Sequence, residues 1–189
     1  AFVRIPCSTD MIVLESDAIV MATVEKLDVA RDDSGAVEVS LSRVRHLGGR
    51  WRLEPENSIF RVRRHQYVND SVRPTDDGMA LRLGSRYLLF LRGGAWGSAP
   101  LLRSAQSIYE IRDDRILCNG GQIYGIGDYG LICSTPERQA APPLTESILA
   151  EQLGEALRIA RLRRPALASQ SDREARTLSL TRSSFRRAR

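Results

Sequence analysis

The segment Asp17-Ala-Ile-Val-Met-Ala-Thr-Val-Glu25 decides the fold, because both of its alternating faces are largely apolar. A β-branched run that is apolar on both faces is typical of a central strand covered on either side. A second segment of this kind, Ser85-Arg-Tyr-Leu-Leu-Phe-Leu91, is the clearest strand further along the chain. The sequence therefore predicts a sheet with a buried centre.

The strand that follows the first segment has a different pattern. Val37, Val39 and Leu41 alternate with polar residues, which predicts one buried and one solvated face. The polar cluster 31–35 between the two strands reads as a turn. We therefore expect the first two strands to form a long antiparallel hairpin.

Shorter strands complete a mainly β prediction. Alternating or aliphatic patterns predict strands over 59–64, 107–111 and 115–118, and the last two flank a turn at Asp113-Asp114. The stretch from Asn69 to Gly78 is predicted as a polar connection, and Gly120 to Gly130 as a loop rich in glycine and tyrosine. Five or more short antiparallel strands at this spacing favour a small β-barrel or sandwich.

Two helical segments are expected outside these strands. Ser8 or Thr9 caps a short N-terminal helical turn, and Thr145 caps a longer helix with Leu144 stapled against Leu149. The longer helix is amphipathic, and its apolar positions are Ile148, Leu149, Leu153, Ala156, Leu157 and Ala160. The predicted organisation is a β-barrel over 1–140, an amphipathic helix over 141–164 packed on it, and a tail over 165–189.

The positive charge is concentrated at the C-terminal end of the chain, from Arg161 onward. From Arg161 to Arg189 there are nine arginines against two acids, a net charge of +7, so the other 160 residues carry −2 of the chain's +5. The tail lacks apolar periodicity and is expected to be disordered unless bound. Its candidate partner-binding residues are Arg173, Arg176, Leu178, Leu180, Arg182, Phe185, Arg186, Arg187 and Arg189.

The cysteines and the first residues both favour export. Cys118 and Cys133 flank the glycine-rich segment at a spacing that suits a disulfide, which leaves Cys7 over; alternatively Cys7 pairs with one of them. Ala1-Phe2-Val3 reads like a mature chain after removal of an export signal, against excision from a longer chain. We expect a periplasmic or extracellular protein.

Several of these segments together resemble a known fold. The capped helical turn, the phrase Leu14-Glu-Ser-Asp-Ala-Ile-Val-Met-Ala-Thr-Val24, the strand reaching Gly48 and the phrase Gly84-Ser-Arg-Tyr-Leu-Leu-Phe-Leu91 are similar to exported bacterial OB-fold domains. Those domains resemble the N-terminal domain of tissue inhibitors of metalloproteinases. The resemblance extends over roughly residues 7–133 and implies an OB-like antiparallel barrel.

The inhibitory mechanism of that family does not carry over. Its working part is a cysteine at residue one whose amine and carbonyl chelate the protease zinc, whereas this chain begins with Ala1. The segment Cys7-Ser8-Thr9 also lacks the Cys-x-Cys start. The resemblance therefore concerns the fold and leaves the function open.

The sequence offers little that would support catalysis, a metal or a cofactor. His46 and His65 are surrounded by arginines, and the cysteine and histidine spacings match no metal motif. The segment 125–130 matches G-x-G-x-x-G, but Pro136 prevents a helix from opening after it, as dinucleotide binding would require. We expect no enzyme, no metal and no cofactor.

Two surfaces remain as candidate binding sites on the barrel. Arg61, Arg63 and Arg64 with Tyr67 combine cations and an aromatic ring as single-stranded nucleic-acid sites do, although a solvated strand face is the simpler interpretation. Tyr124 and Tyr129 of the glycine-rich segment form the other surface.

The leading hypothesis is a non-catalytic accessory subunit that docks on a larger protein or membrane-associated assembly, with the arginine-rich tail as clamp. One alternative is a protease-inhibitor-like or ligand-binding module that uses the barrel and the Gly120–Gly130 segment. The other alternative is a single-stranded nucleic-acid binder.

Overall fold

The structure, a computed structural model, describes residues 8–29, 36–49, 59–63, 66–73, 79–92, 107–118, 121–134, 142 and 144–169. Helix α1 spans Thr9–Glu15 and helix α2 spans Glu146–Arg163. The strands are β1 (Ala18–Val29), β2 (Ala36–Gly48), β3 (Ile59–Arg63), β4 (Gln66–Val68), β5 (Ser71–Arg73), β6 (Leu81–Arg82), β7 (Arg86–Leu91), β8 (Ile108–Arg112), β9 (Arg115–Cys118), β10 (Gly121–Gly127) and β11 (Gly130–Ser134).

The main sheet is antiparallel and has eight strands in the order β11-β10-β9-β8-β7-β1-β2-β3. Strand β1 pairs with β2 on one side and with β7 on the other, so the predicted hairpin and the predicted central position of β1 are both confirmed. Strands β8 to β11 follow β7 as a meander that extends the sheet away from β1. Within the described ranges β3 and β11 are therefore edge strands, and the expected closed barrel is not formed.

A second, three-stranded sheet has the order β4-β5-β6. Strand β5 and the turn before it lie in the stretch from Asn69 to Gly78, which was predicted as a polar connection, and that prediction is wrong for 71–73. The turn residues Asn69 and Asp70 have φ of 50° and 56°. Asparagine and aspartate tolerate this left-handed conformation better than other side chains, so a two-residue hairpin turn forms here.

A two-residue hairpin turn with positive φ at both central residues also joins β8 to β9. Arg112 pairs with Arg115 across Asp113 and Asp114, whose φ values are 51° and 58°. Primed turns that require positive φ at both central residues match the twist of a hairpin, which explains why two consecutive aspartates are placed here. The turn predicted at this position is confirmed.

The segment predicted as a Gly120–Gly130 loop is instead mostly strand. Its described part forms β10 and the start of β11, joined by a turn at Asp128 and Tyr129, and β10 also pairs with β9. Glycine weakens a strand because it loses more backbone entropy on folding than other residues and has no side chain to pack. Here, however, the backbone of β10 pairs with strands on both sides, and Ile123 is fully buried. The glycine-rich composition therefore led to the prediction of a loop where the chain forms a β-hairpin.

Two apolar clusters cover the two faces of the sheet. The first contains Ala18, Val20, Ala22, Val24 and Leu27 of β1 together with Val37, Val39, Tyr87 and Leu89. The second contains Ile19 and Met21 of β1 and the inner faces of both helices. Each hydroxyl or carbonyl buried in such a core needs a partner, and the hydroxyl of Tyr87 donates to the Ala80 carbonyl (3.0 Å) and accepts from the Arg82 amide (2.9 Å).

Both helices begin at hydroxyl caps. The Ser8 side chain accepts a hydrogen bond from the Met11 amide (3.4 Å), and the predicted cap Thr145 accepts one from the Ile148 amide (3.4 Å). Leu144, predicted to staple against the helix, is buried in the second cluster with Leu149. These contacts fix where each helix starts on the sheet.

An arginine fork ties the start of α2 to β7. Arg86 donates from Nε to Glu146 Oε2 (3.0 Å) and from Nη2 to Oε1 (2.7 Å), a bidentate arrangement. Arg45 Nη1 lies 3.8 Å from the same carboxylate. The hydrogen bonds from Arg86 hold the pKa of Glu146 below its ordinary value.

The face of α2 differs from the prediction at one position. Leu149, Leu153 and Ala160 are buried, but Ile148 is 44 % exposed. The chain also remains helical beyond Pro165: residues 165–169 form a further helical turn, and Leu167 and Ala168 pack against the second cluster. This part of the predicted extended tail is thus folded onto the body.

Candidate functional site

A groove of about 680 Å³ opens where three elements meet: the start of α1, the turn between β10 and β11, and one side of α2. We call it the hairpin groove. Its lining residues are Ser8, Thr9, Asp10, Gly125, Ile126, Gly127, Asp128, Tyr129, Gln152, Glu155, Ala156, Ile159 and Arg163.

Thr9 holds two walls of the hairpin groove together. Its hydroxyl donates to the Gly127 carbonyl and accepts from the Gly130 amide (2.8 Å), and its own amide donates to the Asp128 carbonyl (2.8 Å). Three hydrogen bonds from one residue therefore fasten α1 to the β10–β11 turn. Because Thr9 is only 8 % exposed, these bonds are sheltered from water.

The lining of the hairpin groove is part apolar and part charged. Ile126, Ala156 and Ile159 are half-buried and supply aliphatic surface. Asp10, Asp128 and Glu155 supply carboxylates, and Arg163 is the cation among the described lining residues. A side chain with an aliphatic stem and a cationic head would match both parts of such a lining.

The three carboxylates of the hairpin groove differ in how they are paired. Asp10 Oδ2 lies 3.5 Å from Arg164 Nε, and Glu155 receives a fork from Arg158 at 2.6 Å and 2.8 Å. The hydrogen bonds from Arg158 lower the pKa of Glu155. The carboxylate of Asp128 makes no ion pair with any residue in the described ranges, so it is the one most open to a cationic ligand.

The predicted tyrosine surface is only partly brought to the hairpin groove. Tyr129 lies at its rim and is 64 % exposed. Tyr124 lies on β10, outside the lining, with its hydroxyl 3.5 Å from Gln122 Oε1. Of this predicted pair, Tyr129 is the residue that a ligand in the groove would meet.

The predicted basic surface is distributed over two sheets. Arg61 and Arg63 lie on β3 of the main sheet, whereas Tyr67 lies on β4 of the small sheet. Arg64 falls outside the described residues, as do the candidate tail residues from Arg173 to Arg189. A shared binding surface for these residues stays a prediction.

The cysteine prediction is resolved in favour of one pair. Cys118 and Cys133 form a disulfide with their Cα atoms 6.3 Å apart, and the bridge connects β9 to β11 across β10. Cys7 lies outside the described residues. The bridge holds the hairpin that forms one wall of the groove, and such a cysteine pair is compatible with a non-cytoplasmic location.

Metal, dinucleotide and membrane-spanning features are considered together, for the described residues. The described residues contain no cluster of three or more His, Cys, Asp or Glu placed to hold a metal ion. The G-x-G-x-x-G match at 125–130 forms the β10–β11 turn and leads into a strand. Neither α1 nor α2 has the length and apolar character needed to cross a membrane.

Sequence reasoning missed the contributions of α1 and α2 to the hairpin groove. Asp10 and Glu155 stand near opposite ends of the chain, and each has the pattern of an ordinary solvated helix residue.

Comparison of the chain with protein-family models, curated proteins and solved structures gives no match.

Proposed function

We propose that this protein is a non-catalytic, exported accessory subunit that docks on a larger protein or membrane-associated assembly, with its arginine-rich C-terminal tail as the clamp. The observation that carries the proposal is the division between body and tail. Among the described residues, two apolar clusters form the core of the body, while residues 165–189 carry six arginines against two acids, +4 of the chain's net charge of +5.

The point of departure of the tail supports this proposal. Helix α2 is anchored by Leu149, Leu153 and Ala160, and the Arg164 side chain lies 3.5 Å from Asp10. The tail can hold the protein on a partner only if it is anchored to the folded body. It follows a helix that packs in the core, which provides this anchor. Arginine suits the role because its planar fork binds carboxylates and phosphates bidentately.

We also propose an OB-like arrangement for the strands β1, β2, β3 and β7. The pairing of β1 with both β2 and β7, with β3 beyond β2, supports it, since an OB-fold is a partly open five-stranded barrel. The resemblance to the N-terminal domain of tissue inhibitors of metalloproteinases remains a proposal on the same grounds.

The experiment is a comparison of three chains in the organism of origin: the full chain, a chain ending at residue 169, and a full chain with its tail arginines replaced by glutamine. Gentle isolation followed by mass spectrometry should find a stoichiometric partner with the first chain alone. Circular dichroism on all three checks that the body is folded. Equal recovery of the partner with the chain ending at residue 169 would contradict the clamp.

A second candidate function is a ligand-binding module, and the hairpin groove favours it. Tyr129 is largely exposed at the rim, near an aliphatic floor and the Asp128 carboxylate, which has no ion-pair partner among the described residues. This candidate predicts that ligand binding survives removal of residues 170–189 and is lost in the variant Asp128→Asn. The two variants therefore separate the two functions.

A further inference from the structure

We infer that the hairpin groove binds a small zwitterionic ligand, with an ammonium group at Asp128 and a carboxylate at Arg163. A short aliphatic segment between the two charged groups would lie on the apolar part of the lining. The proposed ligand rests on the second candidate function, the ligand-binding module, and specifies what that site takes. ω-Amino acids and short peptides with free termini belong to this chemical class.

Two of the charged groups in the groove lining are already paired within the protein. Asp10 and Glu155 each pair with an arginine outside the lining, at 3.5 Å and at 2.6 and 2.8 Å respectively. Asp128 and Arg163 are left, and neither side chain makes an ion pair or a hydrogen bond with the part of the chain that the structure describes. A ligand with one charge of each sign would pair with both residues at once, whereas a purely cationic or purely anionic ligand would engage one of them.

The start of α1 anchors the segments that carry these two charges. The Thr9 amide donates to the Asp128 carbonyl (2.8 Å). The next residue, Asp10, pairs with Arg164, which follows Arg163 at the end of α2. A site whose backbone is held in place before binding loses less conformational entropy than a mobile loop, so modest contacts suffice to bind a small ligand.

The α2 wall of the groove is a stripe of residues that ends in the free guanidinium. Gln152, Ala156, Ile159 and Arg163 stand at positions i, i+4, i+7 and i+11, so they lie on one side of the helix. Ile126 of β10 adds aliphatic surface to this stripe, and the methylenes of a ligand can pack there. The groove volume of about 680 Å³ lies within the range of small-molecule sites, about 300–1,000 Å³.

The test compares 6-aminohexanoate with hexylamine and hexanoate, which have the same carbon chain and one charged end each. Each probe is titrated into the purified, isotope-labelled full chain at pH 7 and low ionic strength, and two-dimensional NMR spectra follow the amides of Gly127, Asp128 and Gly130. Four-carbon and eight-carbon sets cover shorter and longer separations of the two charges. A partly exposed ion pair contributes up to about fivefold in affinity, so we expect the best zwitterion to bind roughly 3-fold or more tightly than either matched probe.

Two variants remove one charge each. In Asp128→Asn the zwitterion should bind within about 1.5-fold of the matched carboxylate probe, and in Arg163→Gln within about 1.5-fold of the matched amine, because one ion pair is lost in each case. The matched controls are Asp70→Asn, an exposed turn residue, and Arg161→Gln, an exposed residue in the last turn of α2; both lie outside the lining. They should leave the preference for the zwitterion unchanged, and the resonances away from the groove check that each variant is folded.

Three results would overturn the inference. The first is a matched amine or carboxylate that binds at these amides as tightly as the zwitterion in every set, which would leave the groove a site for a ligand of another chemistry. The second is a preference for the zwitterion that survives both Asp128→Asn and Arg163→Gln. The third is no response to any probe, which would overturn the zwitterionic ligand alone, because loss of natural-ligand binding in Asp128→Asn tests the ligand-binding module separately.

Discussion

Replacement of Leu149 by alanine tests the packing of α2 on the sheet, and Ile148→Ala is its matched control. The two residues are neighbours and lose three carbons each, but Leu149 is 0 % exposed and Ile148 is 44 % exposed. Three buried carbons contribute about 2.4 kcal/mol of transfer free energy at about 0.8 kcal/mol each. A cavity that collapses incompletely raises the cost of Leu149→Ala to roughly 3–4 kcal/mol.

Ile148→Ala should cost less than about 1 kcal/mol, because only part of the side chain leaves water and alanine has the higher helix propensity. The assay is urea unfolding at pH 7, followed by circular dichroism with the disulfide intact. The slope of free energy against urea concentration should be the same for both variants, so that the midpoints report stability. Equal losses in the two variants, or a larger loss for Ile148→Ala, would refute the assignment of the buried face.

Three further predictions follow from contacts described above or from close backbone approaches. Gly49→Ala should abolish folding or cost more than about 3 kcal/mol in thermal unfolding, because a Cβ there would lie 2.6 Å from the Ala18 Cα and φ is 97°. The control Gly84→Ala has a φ of 78° but open space around it, and it should cost about 1 kcal/mol in the same assay. Thr9→Val should cost about 2 kcal/mol in urea unfolding, since it leaves a buried amide and a carbonyl of the hairpin unpaired, and Thr9→Ser should restore most of that loss. Glu146→Gln should lower stability at pH 7 by about 1 kcal/mol. Because the folded-state pKa of Glu146 is lowered, its ionised form stabilises the fold fully above the unfolded value near 4.3, and the difference from the wild type should be lost as pH falls through the lowered pKa; a difference that does not shrink as pH is lowered from 7 would contradict the role of the charge.

The parts of the fold that could be predicted are those in which a local pattern is decisive. Both faces of 17–25 are largely apolar, and residues 18–22 of β1 are buried on both faces. Asp113-Asp114 marked a turn through its chemistry, and Thr145 marked the start of α2 through its hydroxyl. In each case the residues that carry the signal are adjacent in sequence or lie within one helical turn.

The parts that could not be predicted depend on pairing between distant segments. Strand β10 is strand because β9 and β11 pair with it on both sides, and its glycines favour a loop when considered alone. Strands β4 to β6 have two or three residues each, too few to show an alternation. The hairpin groove requires α1 beside α2, which no local pattern specifies.

The apolar faces of β1 have a consequence for how the protein unfolds. Val20 and Ala22 belong to the first cluster, while Ile19 and Met21 belong to the second, so both clusters rest on one strand. Neither cluster can unfold without exposing one apolar face of β1, the strand on which the other cluster packs. The two layers should therefore melt in a single cooperative transition, with calorimetric and van't Hoff enthalpies that agree.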